Sequence, residues 1–291
     1  MHYEGTVIRP PSEAESLIFQ VTLGCSDNNC IFCPAYKDKI FSIKNLSLIE
    51  KEFKEASSIF PETKKIFLAD GDALIMPFKE LLKVTEIASF YFPKLQRIAT
   101  YASSKSIRLK TLEELKILRH NKMRLIYLGI ETGDPEVYKN IKKFGNIDIM
   151  VFECLKVKEA GIKLNVTLIL GLGGKTLSAQ HAINTANILN KIKPDQIAAL
   201  TLMIVPGTEI SVLEEKKEFK LPDKIELIEE LYEIINNLSD FNCLFFSNHA
   251  SNYFPINARL PKDKSEILFQ LKQIINSKEQ YRLRPEFLRG L

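Results

Sequence analysis

Residues 17–33 read L-I-F-Q-V-T-L-G-C-S-D-N-N-C-I-F-C, an apolar run followed at once by three cysteines. The first eight residues are almost continuously apolar and end in glycine, which is typical of a strand buried in a parallel sheet. The cysteines, Cys25, Cys30 and Cys33, have the spacing C-x4-C-x2-C. Three thiolates in one short loop can face a common metal centre, so the segment predicts a strand that presents a zinc or iron–sulfur site.

A strand followed by a helix recurs as a unit from residue 17 to residue 240. Predicted strands cover residues 17–24, 64–70, 96–102, 124–131, 162–170 and 196–205. Predicted helices cover residues 47–60, 77–91, 111–121, 135–143, 147–160, 178–192 and 222–238. Successive βα units predict an α/β fold with parallel strands and right-handed crossovers. A doubly wound open sheet and a curved, partly closed barrel both fit this pattern.

Two of the predicted helices begin with a capping-box signature, in which a hydroxyl residue precedes a glutamate by three positions. Ser47 stands three residues before Glu50, and Thr111 stands three residues before Glu114. We therefore expect Ser47 and Thr111 to be the N-caps of their helices.

The pattern predicts three parts along the chain. Residues 1–16 form an N-terminal extension, residues 17–240 the core barrel, and residues 241–291 an appendage that lies over the mouth of the barrel. The appendage has too few apolar residues for a core of its own. It is predicted to contain a seventh strand, a loop and a helix, at residues 241–247, 248–255 and 262–275.

The composition is that of an ordinary globular protein. Of 291 residues, 45% are hydrophobic and 26% charged, which excludes a disordered or fibrous chain. The formal net charge of +4 is too small to indicate nucleic acid. The longest apolar runs are far shorter than the roughly 20 residues that a membrane span needs. The N-terminal residues lack the apolar core of a signal peptide. We therefore expect a cytoplasmic protein that binds neither a membrane nor nucleic acid, with thiols that serve as metal ligands.

Polar and glycine residues follow each predicted strand directly. In α/β sheets and barrels the ligand binds at the carboxyl ends of the strands, so these residues predict an active site at that edge. They are Asp70-Gly71-Asp72, Ser103-Ser104, Glu131-Thr132-Gly133, Gly171 with Gly173-Gly174, and Pro206-Gly207-Thr208.

The residues alone leave several explanations of the three cysteines open. A structural zinc site would need a fourth ligand, and neither a second C-x2-C pair nor a nearby histidine supplies one. A plant-type ferredoxin cluster would also need a fourth cysteine, and the next one, Cys154, is far away in a predicted helix. Three unrelated buried cysteines are a further possibility. The last is a 4Fe–4S cluster with three cysteine ligands and one open iron, which is a catalytic arrangement.

The cysteine loop resembles that of the radical S-adenosylmethionine (radical SAM) superfamily. The family signature is C-x3-C-x2-C after the first strand of a partial (β/α)6 TIM-like barrel, with an aromatic residue before the last cysteine. Phe32 occupies that aromatic position, whereas the first two cysteines are separated by one extra residue. The resemblance extends over about residues 17–210. It implies a partial barrel that binds S-adenosylmethionine and a 4Fe–4S cluster, with Cys25, Cys30 and Cys33 as the metal ligands.

The resemblance also implies which residues bind the cofactor. Asp70, Gly71 and Asp72 stand where a G-G-E-like segment binds the amino group of S-adenosylmethionine. Glu131 matches a residue that contacts the ribose or methionine part, and Lys143 matches one that meets the methionine carboxylate, with Lys142 as an alternative. The remaining predicted contacts are Phe32, Ser103, Thr167 and Gly171. A phosphate loop at residues 171–176 is excluded, because that pattern requires glycine where Ile169 stands.

The implied function is reductive cleavage of S-adenosylmethionine at the cluster. A 5′-deoxyadenosyl radical then abstracts hydrogen from an unknown substrate, expected to be a small molecule, in a site that excludes water and oxygen. The implied electron donor is a ferredoxin or flavodoxin. His249 and Tyr253 are the candidate catalytic residues toward the substrate, and Cys243 is a core residue or a hydrogen-atom donor. The alternative is a non-catalytic iron–sulfur or zinc protein, such as a redox sensor or electron carrier.

Overall fold

The computed structural model of the protein describes residues 2–277 and 280–290, so residues 1, 278, 279 and 291 of the predicted extension and appendage lie outside the described chain. The described strands are β1 Leu17–Gln20, β2 Thr22–Leu23, β3 Ser42–Ile43, β4 Lys65–Ala69, β5 Arg97–Ala102, β6 Met123–Glu131, β7 Lys163–Leu170, β8 Gln196–Thr201, β9 Cys243–Phe246 and β10 Asn257–Leu260. The described α-helices are α1 Leu46–Ile59, α2 Phe78–Tyr91, α3 Ser104–Arg108, α4 Leu112–His120, α5 Pro135–Asn140, α6 Ile147–Glu159, α7 Gly174–Ile192, α8 Glu209–Glu215, α9 Lys224–Asn236 and α10 Lys264–Ser277.

The chain forms two compact units, of which the first comprises Met1–Asn28, Ala35–Leu128 and Phe152–Leu164. In this unit β1, β4, β5 and β6 pair in that order, each parallel to the next. The strands β2 and β3 form a small antiparallel ribbon beyond β1. Parallel strands in chain order are the arrangement that successive right-handed βα units produce.

Both faces of these strands are apolar, which explains why their sequences do not alternate. On one face Phe19 of β1 packs against Phe53 of α1 and Phe92 after α2, with ring centroids 4.1 and 6.0 Å away. All three rings are fully buried, and burial of each contributes about 1.5–3 kcal/mol. The opposite face carries a second buried cluster that includes Phe67 and Tyr127. These two layers hold the strand ends in place.

The second unit comprises Asn29–Pro34, Gly129–Val151 and Asn165–Leu291. In it β7, β8 and β9 pair in order and in parallel, and β10 runs antiparallel to β9. The predicted seventh strand is therefore confirmed as β9. The sequence did not predict β10, which returns the chain along β9 after the loop at residues 247–256.

The cap of α1 differs from the sequence prediction. The N-cap is Asn45, whose side-chain oxygen accepts a hydrogen bond from the Ser47 amide at 2.9 Å. Ser47 lies inside the helix, so the prediction that it caps α1 is wrong. Asparagine is as good an N-cap as serine, and it comes two residues earlier. The capping box of Thr111 and Glu114 at the start of α4 is confirmed.

The other differences concern short elements and helix starts. The helix predicted from residue 178 begins at Gly174, because the preceding glycine turn is shorter than expected. The helices α3 and α8 span only five and seven residues, too few for a periodic apolar pattern to be recognised. Among the described helices, none is both long and apolar enough to cross a membrane. The predicted division into three parts stays a prediction.

Candidate metal and cofactor site

The first cysteine lies in the first unit, directly beyond the end of β2. The amide of Gly71, after β4, donates a hydrogen bond to the carbonyl of Gly24 at 3.1 Å. A Cβ atom added to Gly71 would lie 2.6 Å from the ring of Tyr36 and 3.1 Å from the Cβ atom of Cys25. Only glycine lets the turn after β4 approach the cysteine loop this closely.

The other two cysteines lie in the second unit, on a turn that is anchored through Ile31. Its amide donates to the carbonyl of Ile141 at 3.2 Å, and its carbonyl accepts from the amide of Ile210 at 3.1 Å. The Ile31 side chain is buried in an apolar cluster against which Phe32 packs. The residues between Cys30 and Cys33 therefore fix the turn, and Phe32 has a packing role beside its predicted cofactor contact.

The donor set fits a cluster with an open iron better than a closed zinc site. Zinc would draw its thiolates to about 2.3 Å from a single point. A closed structural zinc site also takes four ligands, and the loop carries three cysteines. A cluster, by contrast, binds its cysteines at separate iron atoms.

The two remaining cysteines are core residues. Cys154 on α6 and Cys243 on β9 are both buried, and burial raises the pKa of the Cys154 thiol well above its usual value. A thiol that resists ionisation is a poor metal ligand. Burial therefore makes Cys154 a poor candidate for a fourth cluster ligand.

Asp70 places a buried carboxylate beside the first cysteine. Its Oδ2 atom accepts hydrogen bonds from the Gln20 side chain at 3.0 Å and the Gly24 amide at 3.2 Å, and it pairs with Lys39 at 2.9 Å. Its Oδ1 atom is equally buried but has no hydrogen-bond partner among the described residues. A buried acceptor left unpaired costs about 1–3 kcal/mol, which marks Oδ1 as a position for a donor from a bound molecule.

Asp72 has a different environment, in which both carboxylate oxygens are already used. It is fully buried and accepts from the Ser26 hydroxyl at 2.5 Å, the Ser103 hydroxyl at 2.7 Å and the Ser103 amide at 3.2 Å. Burial raises the pKa of Asp72, and the serine hydrogen bonds oppose that rise. Because Ser103 caps α3, Asp72 ties the turn after β4 to the turn after β5.

Glu131 and Lys143 form an ion pair at the end of β6. Glu131 has a φ of +64°, and its carboxylate folds back over Gly129, where an added Cβ atom would collide with it. The Lys143 Nζ atom lies 3.1 Å from the Glu131 carboxylate. Burial lowers the pKa of Lys143, but Glu131 and Cys30 outweigh burial and hold that pKa above its usual value. A non-glycine residue with positive φ stores strain and is typical of functional sites.

Lys142, the alternative to Lys143, points away from this pair. Its ammonium group contacts Glu209 at 2.5 Å, and both side chains are about half exposed. An exposed pair of this kind contributes little and is screened by salt. The structure therefore favours Lys143 of the two lysines for a role in a buried site.

The glycine turn after β7 is held by residues that the sequence did not indicate. The Gly171 amide donates to the buried Glu230 carboxylate at 2.7 Å, and the Ser178 hydroxyl bonds the same carboxylate. Burial raises the pKa of Glu230, whereas the neighbouring His181 opposes this. His181 is itself fully buried and hydrogen-bonded to the Thr132 hydroxyl at 2.8 Å. Thr167, on β7, is half-buried and leaves part of its surface open.

The segment around His249 is fixed to the end of β8. The Asn252 amide group donates to the carbonyl of Ala199 at 2.9 Å, and its oxygen accepts from the Thr201 hydroxyl at 2.8 Å. The Nδ1 atom of His249 accepts from the Ser251 amide at 3.1 Å. Burial, with a smaller contribution from Arg284, lowers the pKa of His249, so the imidazole is neutral at pH 7.

Tyr253 is tied to the C-terminal residues. Its hydroxyl donates to Glu286 at 2.6 Å and accepts from Arg289 at 2.6 Å, and the Arg289 guanidinium lies 4.1 Å from the ring centre. Burial and the Glu286 hydrogen bond raise the pKa of Tyr253 to about 12. These contacts hold the ring and hydroxyl of Tyr253 against the C-terminal residues.

Comparison with known proteins points to one family. The sequence model described as the Radical SAM superfamily matches residues 19–186, more than half of the chain. This stretch runs from β1 through most of α7 and includes Cys25, Cys30 and Cys33. No curated protein sequence matches the chain.

Solved radical SAM enzymes share the fold at low sequence identity. Methylornithine synthase is 16% identical with a TM-score of 0.55, over 79% of this chain and 63% of its own. Coproporphyrinogen III oxidase from Escherichia coli is 17% identical with a TM-score of 0.59, over 76% of this chain and 51% of its own. The methyltransferase TsrM from Kitasatospora setae, solved with cobalamin and a [4Fe–4S] cluster, is 14% identical with a TM-score of 0.56, over 72% and 41%.

This likeness confirms the fold class predicted from the sequence, α/β of the partial TIM-barrel type. It establishes the fold alone, because identities of this size do not carry a substrate or a reaction. The chain also spans less than two thirds of the length of these three structures.

Proposed function

The chain belongs to the Radical SAM superfamily, and we propose that it is an enzyme that reductively cleaves S-adenosylmethionine to start radical chemistry on a small-molecule substrate. Members of this family use a 4Fe–4S cluster and S-adenosylmethionine. The observation that carries the proposal is the unpaired Asp70 oxygen, buried one residue from the Gly71 contact with the cysteine loop. An iron–sulfur sensor or electron carrier would have no need of such an acceptor.

In this proposal Cys25, Cys30 and Cys33 hold the cluster. When bound, it supplies one electron through an iron that no cysteine occupies, and S-adenosylmethionine supplies the 5′-deoxyadenosyl radical. The turn fixed by Ile31 and Phe32 keeps the cysteines in place. The protein contributes orientation and the exclusion of water, while the cofactors carry the difficult chemistry.

The amino group of S-adenosylmethionine is assigned to the turn after β4. A charged ammonium donor would satisfy the Asp70 Oδ1 atom, since Lys39 already neutralises the other oxygen. Gly71 leaves room for a close approach to the backbone. Asp72 supports this turn through Ser103, which explains why a carboxylate stands there even though its oxygens are occupied.

The methionine carboxylate and the ribose are assigned to the pair at the end of β6. Lys143 is proposed to donate to the methionine carboxylate and Glu131 to accept from ribose hydroxyls, because the two side chains form a largely buried ion pair at this strand end. Thr167 and Gly171, on β7 and the turn beyond it, are assigned to the adenosine part.

The substrate is assigned to the loop that carries His249. The neutral imidazole uses Nδ1 within the loop, so Nε2 is the atom proposed to face a substrate and to move a proton. Tyr253 is proposed to act by fixing this loop. The electron donor is proposed to be a ferredoxin or a flavodoxin.

The proposal is tested with protein reconstituted anaerobically with iron and sulfide. We expect about four irons per chain, and a reduced cluster whose electron paramagnetic resonance spectrum changes when S-adenosylmethionine is added. A spectrum that stays the same when S-adenosylmethionine is added would contradict the proposal of an open iron. Zinc in place of iron would reject the cluster itself.

A further inference from the structure

Two tyrosines and a phenylalanine form an aromatic cluster on one face of β4, β5 and β6. Tyr101 lies edge-on to Phe67, with ring centroids 5.0 Å apart, and 6.0 Å from Tyr127. Phe67 and Tyr127 are 5.9 Å apart and both are buried. Edge-on pairs at these distances hold aromatic rings in defined orientations. The position of each hydroxyl is therefore set by the sheet.

The two hydroxyls of this cluster differ in their hydrogen bonding. The Tyr127 hydroxyl donates to the buried Glu13 carboxylate at 2.6 Å and bonds the Ser12 hydroxyl at 2.8 Å. The Tyr101 hydroxyl makes no hydrogen bond to any other residue in the described ranges, and its side chain keeps part of its surface exposed. Tyrosine hydroxyls inside proteins usually find a partner. Tyr101 thus carries a hydroxyl without a hydrogen-bond partner among the described residues, on a side chain that is partly exposed.

The strand register places Tyr101 next to the proposed cofactor turn. Leu68 of β4 pairs with Thr100 of β5, so Tyr101 stands level with Ala69, one residue before Asp70. Burial, followed by the charges of Glu13 and Asp70, raises the pKa of Tyr101, so the O–H bond stays intact at neutral pH.

We infer that Tyr101 is a hydrogen-atom donor to a carbon radical formed at this edge of the sheet. The inference rests on the proposed function, which generates such a radical. A phenolic O–H bond is weaker than an alkyl C–H bond, so transfer from Tyr101 to an alkyl radical is downhill. An unpartnered hydroxyl is free to point at the radical, whereas the Tyr127 hydroxyl is held by Glu13 and Ser12.

The transfer balances in atoms and electrons. The O–H bond of Tyr101 breaks homolytically as one C–H bond forms, which leaves a neutral tyrosyl radical. One electron from a reductant of the ferredoxin or flavodoxin class, with one proton from solvent, restores the phenol. Dithionite serves as that reductant in the test.

The test follows the source of hydrogen in 5′-deoxyadenosine when no substrate is added. The reconstituted protein is reduced with dithionite and given S-adenosylmethionine in D2O, and deuterium in the product is measured by mass spectrometry. We expect deuterium in the product from the wild type, loss of most of it in Tyr101→Phe, and a wild-type content in the matched control Tyr127→Phe. Product without deuterium from the wild type, or with equal deuterium from wild type and Tyr101→Phe, overturns the inference.

A second measurement needs no cofactor. Hydroxyl-radical footprinting of the protein, mapped by peptide mass spectrometry, attacks the ring whether or not the phenol is ionised, and it should oxidise Tyr101 more than the buried Tyr127; equal or reversed oxidation would overturn the assignment of the open hydroxyl to Tyr101. Thermal unfolding of Tyr101→Phe verifies that this variant folds. If no variant forms 5′-deoxyadenosine although the cluster is present, the proposed function fails, and the inference falls with it.

Discussion

At the scale of single residues, the carboxylates of Asp70 and Asp72 differ in their hydrogen bonding, although both residues follow the same strand in the sequence. Asp70 has one oxygen fully bonded and the other unpaired, while both oxygens of Asp72 are used by Ser26 and Ser103. Their positions after a strand could be read from the sequence. Their hydrogen bonds could not, because the partners stand 31 to 50 residues away along the chain.

Asp70→Asn should weaken binding of S-adenosylmethionine without loss of the cluster. The substitution keeps the shape of the side chain but replaces the charged acceptor, and hydrogen bonds to charged groups contribute about 1.5–3 kcal/mol, or roughly tenfold or more in Kd. Isothermal calorimetry on reconstituted protein measures the change. Unaltered affinity would reject the assignment of the amino group to Asp70.

The stability of the protein should fall on acidification below about pH 6.5, partly because of His249. Burial and Arg284 lower the pKa of His249 in the folded state below the ordinary 6.5. As the pH falls, the unfolded chain therefore binds a proton before the folded chain does, and the free energy of unfolding decreases. We expect a smaller fall in Tm between pH 7 and pH 5 in His249→Gln than in the wild type. Parallel curves would show that His249 ionises equally in both states.

At the scale of elements, the sequence pattern predicts the long strands and helices but not the short ones. The apolar runs that became β4 to β8 were all predicted, since continuous burial on both faces leaves a clear pattern. The helices α3 and α8 are too short for a periodic signal. The N-cap of α1 was also ambiguous, because Asn45 and Ser47 can each cap a helix. In the structure the N-cap is Asn45.

The start of α1 allows a matched comparison of these two residues. Asn45→Ala should lower the free energy of unfolding by about 1 kcal/mol, because it removes the side-chain acceptor for the Ser47 amide. Ser47→Ala should have a much smaller effect, since Ser47 is exposed and lies within the helix. Urea denaturation measures both values. A larger loss in Ser47→Ala would contradict the observed cap.

At the scale of the whole molecule, the sequence indicated the α/β fold and the cysteine loop, and membership of the Radical SAM superfamily agrees with both. The partners of the glycine turn, Glu230 and His181, could not be predicted, because they reach Gly171 and Thr132 only through tertiary packing. An ordinary glutamate in a helix carries no local sign of such a contact. The substrate is likewise not encoded in the fold.

The central claim is that the three cysteines hold a cluster that cleaves S-adenosylmethionine. The direct measurement is formation of 5′-deoxyadenosine by the reconstituted, dithionite-reduced protein, beside Cys30→Ala treated in the same way. We predict product from the wild type, and neither cluster nor product from Cys30→Ala. A wild-type cluster that forms no 5′-deoxyadenosine, or product at the wild-type rate from Cys30→Ala, would contradict the account.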